Sequence, residues 1–461
     1  MITAGNKKLL LFLFLFILLN GCYRHDDPFP ADDDTKEADV NEWIWEKMNT
    51  YYYWEDLLVD TDRSDPDHKS YFNSLLYEDD GFSWISDDAE TLRGELDGEI
   101  LALGFSPAFG VFSNSRNIFI VVEYVYPGSN AEVAGLKRGD IILKIDGQDL
   151  TEDNYLDLYD KTEYTLSLGE YNGSGIYETD NEIFIVTNTL EVEPVVYSEV
   201  FEADAHRIGY LVYVDFISGN DDSKLEDLGQ VIDGMKMEGI TELIIDLRYN
   251  RGGDVGAAKY FGSLLAPEVN IQNRDVFIRF DYNDFLENYY HHSEGENSDH
   301  LNIRFEEAGY HLDLEQVIIL TSSHTASASE LLLVGLEPYM QVVSIGEPTF
   351  GKFYGSFVLF DENDPPRHNW AIVPVVLKYA NANGFSDFVN GVDPDYYVPD
   401  NLLEAKPFGD LTDPMMARAV SQITGNPLDE NARTAPMKSY EDKIDWNRIR
   451  KGNLLMVPED R

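Results

Sequence analysis

Aromatic and aliphatic residues recur at helical spacing near the start of the chain. Within residues 40–94, Trp43, Ile44, Met48 and Tyr51 fall at intervals that place them on one face of a helix. A stripe of this kind is typical of a helix packed into a core. The pattern therefore predicts a small N-terminal helical module with a structural role.

The pattern changes to short apolar runs and glycine turns over residues 95–195. The runs 118–122 and 141–145 are rich in Ile and Val and predict strands. Residues 128–136 between them predict a short helix that ends at a glycine, and Asp-Gly at 146–147 is typical of a hairpin turn. We expect a β-rich domain here.

Apolar strands and amphipathic helices alternate over residues 196–425. The predicted strands are 208–216, 243–247 and 317–320, and the predicted helices are 225–237, 255–265 and 330–336. This alternation predicts an α/β domain with a largely parallel sheet. Beyond about residue 407 the chain is polar and is expected to be peripheral, with residues 426–461 as a polar tail.

The first residues have the pattern of a secretion signal. Lys7 and Lys8 precede an apolar run, residues 9–19, which is shorter than the roughly 20 residues that a membrane span needs. Leu19-Asn20-Gly21-Cys22 resembles the bacterial lipobox, in which the Cys thiol is acylated. We therefore expect a signal peptide over residues 1–21, a lipid anchor at Cys22 and an acidic tether over residues 22–39. The expected location is the bacterial cell envelope, as an outer-membrane-anchored lipoprotein facing the periplasm or the cell surface.

Charge excludes one large class of partner. The chain has 34 Lys+Arg against 85 Asp+Glu, a formal net charge of −51. Nucleic-acid binding needs clustered positive charge, so we expect no nucleic acid as a partner. Cys22 is the single cysteine, which rules out a disulfide within the chain.

A run of small hydroxyl residues lies between a predicted strand and a predicted helix. It reads Thr-Ser-Ser-His-Thr-Ala-Ser-Ala-Ser-Glu over residues 321–330 and contains Ser327. A strand-to-helix junction aims helix N–H groups at one point, where they can stabilise an oxyanion beside a nucleophile. Ser327 followed by Glu330 also fits a capping box, so an ordinary helix cap is the alternative.

A second segment, Gly-Glu-Pro-Thr-Phe-Gly-Lys, ends at Lys352. It is not a phosphate-binding loop, because Phe353 stands where Ser or Thr should bind Mg²⁺. Apolar surroundings disfavour the charged form of a lysine and lower its pKa. With Phe350, Phe353 and Tyr354 nearby, Lys352 is a candidate general base.

These segments, with Asp-Leu-Arg-Tyr-Asn-Arg-Gly-Gly over residues 246–253, resemble the carboxyl-terminal processing peptidases, or tail-specific proteases, and their lipoprotein subgroup. The resemblance implies a serine-type peptidase with an α/β core of the ClpP/crotonase-like type and no cofactor. It implies Ser327 as nucleophile and Lys352 as base. The implied oxyanion donors are Gly252 or Gly253, and Ala328.

Residues 127–147 resemble a PDZ domain, which we expect to span residues 95–195 and to precede or be inserted in this core. Leu103, Gly104 and Phe105 match the loop with which such domains bind a C-terminal carboxylate. The resemblance therefore implies protein or peptide substrates with free C-termini.

One residue departs from the family pattern. Ser356 stands where many members have a glutamine that orients the lysine, and we assign it a possible Lys-orienting role. Two other functions stay open: a catalytically silent peptide-binding protein on the same scaffold, and an esterase or amidase. A metal site among His291, His292 and His300 is disfavoured, so we expect no metal.

Overall fold

The computed structural model describes most of the chain beyond the predicted tether. The described residues are 40–112, 115–159, 161–428, 441–442 and 455–456. The predicted signal peptide, the tether and Cys22 lie outside them, as does most of the predicted tail. Within the described residues, no helix is both long enough and apolar enough to span a bilayer.

The N-terminal module is helical, as predicted. It contains α1 (Val40–Tyr51), a 3₁₀ turn (Glu55–Leu57), α2 (His68–Leu75), β1 (Trp84–Ser86) and α3 (Ala89–Leu96). Strand β1 was not predicted. It pairs antiparallel with Ala371–Val373, so the module shares a sheet with the α/β region.

The β-rich region forms the two predicted strands and the short helix. Its elements are β2 (Glu99–Ala102), β3 (Phe105–Val111), β4 (Ile118–Val125), α4 (Asn130–Val133), β5 (Ile141–Ile145), β6 (Gln148–Asp149), α5 (Tyr155–Tyr159), β7 (Glu163–Tyr171), β8 (Ile176–Val186) and β9 (Asn188–Glu191). The main sheet runs β3-β4-β5-β7-β8, and its inner face packs an apolar core of its own.

The α/β region alternates strands and helices. Its strands are β10 (Val195–Ala203), β11 (His206–Tyr213), β12 (Glu242–Asp246), β13 (Val276–Tyr282), β14 (Asn302–Arg304), β15 (Gln316–Thr321), β16 (Gln341–Gly346), β17 (Tyr354–Phe357), β18 (Leu359–Phe360), β19 (Ala371–Val373), β20 (Val375–Asn381) and β21 (Tyr396–Tyr397). Its helices are α6 (Ser223–Glu238), α7 (Val255–Leu265), α8 (Glu268–Gln272), α9 (Asp284–Glu294), α10 (Ala328–Leu336) and α11 (Pro414–Thr424).

The central sheet confirms the predicted topology. Its order is β10-β11-β12-β15-β16-β21, and every neighbouring pair from β11 to β21 is parallel. Only the pairing of β10 with β11 is antiparallel among these described strands. Since parallel strands end at one edge, the loops after β12, β15 and β16 converge there. They are the three loops singled out by the sequence.

The expectation that the chain beyond residue 407 is peripheral is wrong for α11. Met415, Met416 and Ala419 are buried in the same core as the central sheet. The polar residues on the outer face of this amphipathic helix led to the prediction that the segment lies at the surface. Asp413 caps the helix by accepting hydrogen bonds from two backbone N–H groups of its first turn.

Two short strands near the C-terminus pair with separate sheets. Strand β22 (Glu441–Asp442) runs antiparallel to Gly110 and Val111 at the end of β3. Strand β23 (Leu455–Met456) runs parallel to Ser356 and Phe357 of β17. The C-terminal part of the chain therefore pairs with an edge of the β-rich region and with an edge near Lys352.

Candidate active site

Ser327 begins α10 in a conformation that an ordinary helix cap does not adopt. Its φ of 60° and ψ of −112° are unusual for a residue with a side chain, and such strain costs roughly 1–3 kcal/mol. Its backbone N–H donates to Glu330 Oε2 at 2.7 Å. Its hydroxyl is buried and has no hydrogen-bond partner among the described residues. The hydroxyl therefore caps nothing, and half of the predicted capping box is missing.

Neighbouring serines have structural hydrogen bonds instead. Ser329 Oγ donates to the Asn250 carbonyl at 3.0 Å, and Ser322 Oγ donates to the Arg248 carbonyl. Both hydroxyls tie the loop after β15 to the loop after β12. Of these three serines, Ser327 alone keeps an unbonded hydroxyl within the described structure.

Lys352 is fully buried in the loop after β16. Burial lowers its pKa from the ordinary 10.5 to about 7, while the charges of Glu330 and Asp80 act in the opposite direction. At neutral pH a large fraction of the amine is therefore unprotonated. The Ser327 hydroxyl and the Lys352 amine are not within hydrogen-bond contact in this structure.

Part of the cover over Lys352 comes from the N-terminal module. The Lys352 ammonium nitrogen lies 5.3 Å from the centre of the Phe82 ring. Phe82 also contacts Phe350 and Tyr354 edge-on or tilted, with ring centres 6.4 and 6.0 Å apart. Two of the three predicted aromatic neighbours thus pack with a residue from the helical module, which the sequence had suggested was purely structural.

Glu330 links Ser327 to Lys352. One oxygen accepts from the backbone N–H of Ser327 and of Lys352, at 2.7 and 2.9 Å. The other accepts from Gly351 N–H and the Thr349 hydroxyl, both at 2.6 Å. Burial raises the pKa of Glu330, and these hydrogen bonds oppose that rise. With every neighbour donating, the arrangement fits the ionised carboxylate.

Tyr379 on β20 also connects the backbone of Ser327 to that of Lys352. Its hydroxyl lies 3.1 Å from the carbonyl oxygen of Ser327 and 3.1 Å from that of Lys352. The main-chain positions of both residues are consequently fixed by two side chains that touch both loops.

The loop after β12 brings two glycines close to Ser327. A Cβ on Gly252 would lie 2.7 Å from Ser327 Cβ, and one on Gly253 would lie 2.2 Å from the Phe216 carbonyl oxygen. Gly252 N–H already donates to Asn250 Oδ1 at 2.9 Å. The N–H groups of Gly253 and Ala328 have no acceptor among the described residues. Of the two glycines, Gly253 is therefore better placed as an oxyanion donor.

A buried ionic cluster anchors the base of the same loop. Arg248 is 1% exposed and donates to Asp246 at 2.7 Å, to Asp413 at 3.2 Å and to Asp400 at 3.3 Å. Nearby negative charge outweighs burial and raises the pKa of this guanidinium, which stays charged. Asp413 belongs to α11, so the helix that was expected to be peripheral supports the active-site loop.

Ser356 makes no hydrogen bond to the lysine amine. It is buried on β17, but its hydroxyl has no hydrogen-bond partner among the described residues. Its Lys-orienting role stays a prediction without a contact to support it.

The predicted carboxylate loop lies between β2 and β3. Leu103 and Phe105 are buried, and Gly104 has a φ of 90°. A Cβ on Gly104 would lie 2.4 Å from Ser129 Cβ, so only glycine fits there. This geometry is compatible with a backbone loop that binds a carboxylate.

The histidine-rich stretch is largely helical and not a loop. His291 and His292 lie on α9, where His291 pairs with Glu287 at 3.3 Å. His300 pairs with Glu294 at 2.8 Å and stacks on Tyr290. No group of three or more metal-binding side chains occurs within the described residues.

Known families cover the three regions of this chain. The model of peptidase family S41 matches residues 207–398, that of the peptidase S41 N-terminal domain matches residues 39–84, and that of the PDZ domain matches residues 121–162. The chain belongs to peptidase family S41. It is a serine-type peptidase with a PDZ domain and an S41 N-terminal module, as the sequence motifs indicated.

Similar proteins carry related names. A carboxyl-terminal-processing protease of Picosynechococcus is 25% identical over 337 residues, covering 72% of this chain and 71% of the relative. One from Bartonella bacilliformis is 25% identical over 358 residues, covering 74% and 71%. The crystal structure of a putative S41 protease from Bacteroides fragilis superposes with a TM-score of 0.69 at 24% identity, covering 86% of this chain and 99% of that one. This last likeness confirms the fold.

The sequence interpretation gave no role in the site to four residues that lie there: Glu330, which it named only as a capping-box partner, and Tyr379, Asp80 and Phe82. For Glu330 a signal existed, because a carboxylate at the start of an entirely apolar helix must be buried and paired. The other three approach the site from distant parts of the sequence, and no local pattern marks them.

Proposed function

We propose that this S41 peptidase uses Ser327 as nucleophile and Lys352 as general base, and that it cleaves proteins or peptides in the bacterial cell envelope. One observation carries the proposal: Lys352 is buried with its pKa lowered to about 7, and Glu330 joins its backbone to that of Ser327. A base that titrates near neutral pH is the most effective proton acceptor under ordinary conditions.

The chemical steps follow from these positions. Ser327 Oγ forms a bond to the scissile carbonyl carbon while its proton passes to the neutral Lys352 amine. The resulting oxyanion is stabilised by N–H groups of Ala328 and of Gly253 or Gly252. Protonated Lys352 then gives its proton to the departing amine as the peptide bond breaks. Water, deprotonated by Lys352, releases the acyl group from Ser327.

The two side chains must first come into contact. Ser327 Oγ lacks a hydrogen bond among the described residues, so the proposal includes a small rearrangement on substrate binding that brings hydroxyl and amine together. Hydrogen bonds between catalytic groups often tighten only in the substrate complex.

Substrate recognition is proposed to use the PDZ domain and its loop at Leu103, Gly104 and Phe105. A C-terminal peptide would add as a strand to β3, with its carboxylate at the loop. The antiparallel pairing of β22 with Gly110 and Val111 supports this, because the outer edge of β3 accepts a strand there. A lipid on Cys22 is proposed to hold the enzyme at the outer membrane, facing the periplasm or the cell surface.

The test compares the full chain in mild detergent with Ser327→Ala and Lys352→Ala on an unfolded protein substrate. Both variants should lose at least about a thousandfold in kcat, as expected when a nucleophile or its base is removed. Equal cleavage by all three proteins would refute the pair. A peptide with an amidated C-terminus should show a raised KM. Metabolic labelling with a fatty acid should mark the wild type and not Cys22→Ala.

A further inference from the structure

A carboxylate of the PDZ domain is buried against two catalytic loops. Glu123 lies on β4 and is 0% exposed. One of its oxygens lies 2.9 Å from His324 Nδ1 and 3.3 Å from Arg251 Nη2, and the other accepts from the Ser106 hydroxyl. Burial of a carboxylate costs several kcal/mol unless charged or polar partners compensate for it. Its partners here are supplied largely by the neighbouring catalytic domain.

Both partners are close in sequence to residues of the proposed active site. Arg251 directly precedes Gly252, and His324 is three residues before Ser327. Arg251 and His324 also approach each other, with Nη2 and Nδ1 3.2 Å apart. The carboxylate of Glu123 therefore joins the loop after β12, which carries the proposed oxyanion donors, to the loop after β15, which carries Ser327, through a residue that belongs to neither loop.

The hydrogen-bonding chemistry defines the histidine tautomer. Arg251 can only donate, and a carboxylate can only accept. His324 Nδ1 cannot accept from Arg251 and donate to Glu123 at the same time. The shorter distance, 2.9 Å to Glu123, favours a proton on Nδ1 that is donated to the carboxylate. Arg251 then donates to the same carboxylate oxygen at 3.3 Å.

A second PDZ side chain holds the same loop further upstream. Arg138 donates to the backbone carbonyl of Glu123 at 2.6 Å, and its guanidinium lies 4.9 Å from the centre of the Tyr249 ring. Tyr249 in turn donates its hydroxyl to Asp400 at 2.5 Å. The PDZ domain thus contacts the loop at two residues that flank Asn250, whose side chain holds Gly252 N–H.

We propose that Glu123 is a positioning residue for peptide hydrolysis, which acts through Arg251 and His324 to hold the glycine amides and Ser327 in their relative positions. The inference rests on the proposed roles of Ser327 and Gly253. It makes the PDZ domain part of the support of the active site, in addition to any part it has in binding substrate.

The primary test is Glu123→Gln, which keeps the shape of the side chain and removes its charge. Loss of one oxyanion donor typically costs about 10²–10³ in kcat, so a displaced loop should lower kcat about 10- to 100-fold. KM for an unfolded protein substrate should change less than about twofold, because ground-state contacts of the substrate are untouched. The matched control is Glu178→Gln, since Glu178 is a PDZ glutamate paired with Lys144 at 2.7 Å on the surface. It should retain wild-type kcat.

A double-mutant cycle separates positioning from general damage. If Glu123 acts through Arg251, Arg251→Met should lower kcat similarly, and the double variant should lose little more than the worse single variant. Multiplicative losses in the double variant, or full kcat in Glu123→Gln, would overturn the inference. Thermal unfolding monitors the fold, and if Glu123→Gln does not fold, the kcat and KM of Arg251→Met decide the question.

Ser327→Ala, assayed alongside, distinguishes two failures. If it cleaves like the wild type, the proposed function itself is wrong. If it is inactive while Glu123→Gln and Arg251→Met keep full kcat, only the positioning role is wrong.

Discussion

The N-terminal module and the PDZ domain both contact the active site, and they do so with different chemistry. The module presents the Phe82 ring and the Asp80 carboxylate to Lys352. The PDZ domain presents the buried Glu123 and the partly buried Arg138 to the loop that carries Gly252. The first set of contacts acts on the proton affinity of Lys352, the proposed base. The second acts on the geometry of the loops after β12 and β15, which carry the proposed oxyanion donors and Ser327.

Among the residues that support the site, we expect the largest effect at Glu330, because its carboxylate contacts both the loop of Ser327 and the loop of Lys352. In Glu330→Gln a neutral amide replaces a carboxylate that accepts four hydrogen bonds, and its NH₂ group faces N–H donors. Each buried donor left unpaired costs about 1–3 kcal/mol, so we expect a marked fall in Tm. We also expect kcat to fall at least about a hundredfold, because one such hydrogen bond holds Ser327 and another holds Lys352.

Glu337→Gln is the matched control, since Glu337 is an exposed glutamate that follows the same helix. It should leave kcat and Tm close to wild type. Wild-type kcat in Glu330→Gln would mean that the two loops keep their positions without the carboxylate, and that the module and the PDZ domain act on independent parts of the site.

Local patterns predicted most of the fold. Period-two and fully apolar runs identified β5, β12 and β15, and α7 has the predicted bounds, Val255–Leu265. The predictions were wrong where tertiary contacts determine the structure. Strand β1 exists because Ala371–Val373 offers it an edge, and α11 is buried because its apolar side fits the core beside β16. A single amphipathic helix does not reveal whether its partner surface exists.

For the candidate site, the sequence predicted which loops carry the reacting side chains but not which residues surround them. Ser327 and Lys352 follow neighbouring parallel strands, so the topology alone brings their loops to one edge. The burial of Lys352 depends on Phe82, some 270 residues earlier in the chain (352 − 82), and no local pattern encodes that approach. The choice between Gly252 and Gly253 depended on one hydrogen bond of Asn250.

A smaller effect should appear in the pH dependence. With Lys352 as the proposed general base, its unprotonated form is the active one, so kcat/KM should rise with pH and be half-maximal near the pKa of about 7. In Phe82→Ala water reaches the amine and restores its pKa toward the ordinary 10.5, which moves the rise to higher pH. In Asp80→Asn a charge that raises the pKa is lost, which moves the rise to lower pH.

Shifts in opposite directions would show that the module sets the pKa of Lys352 through both burial and charge. Phe184→Ala, an exposed phenylalanine of the PDZ domain, and Asp79→Asn, the neighbour of Asp80, serve as controls and should leave the profile in place. Identical pH profiles for all five proteins, measured as kcat/KM from pH 5 to pH 10, would show that the module only covers the site.

The smallest effect is expected from the two C-terminal strands, one of which pairs with the PDZ domain and the other with the α/β region close to Lys352. Strand β22 pairs with β3 of the PDZ domain, and β23 pairs with β17, four residues beyond Lys352 at Ser356. A substrate strand that adds to either edge must displace the chain's own residues. A chain ending at Leu428 should therefore bind peptide substrates more tightly. Since a backbone hydrogen bond is worth about 0.5–1.5 kcal/mol net, KM should fall about two- to tenfold with kcat unchanged. In the full-length chain, Asp442→Pro disrupts β22 and should lower KM by part of this amount if substrate uses the edge of the PDZ domain. An unchanged KM in the truncated chain would mean that substrate uses neither edge.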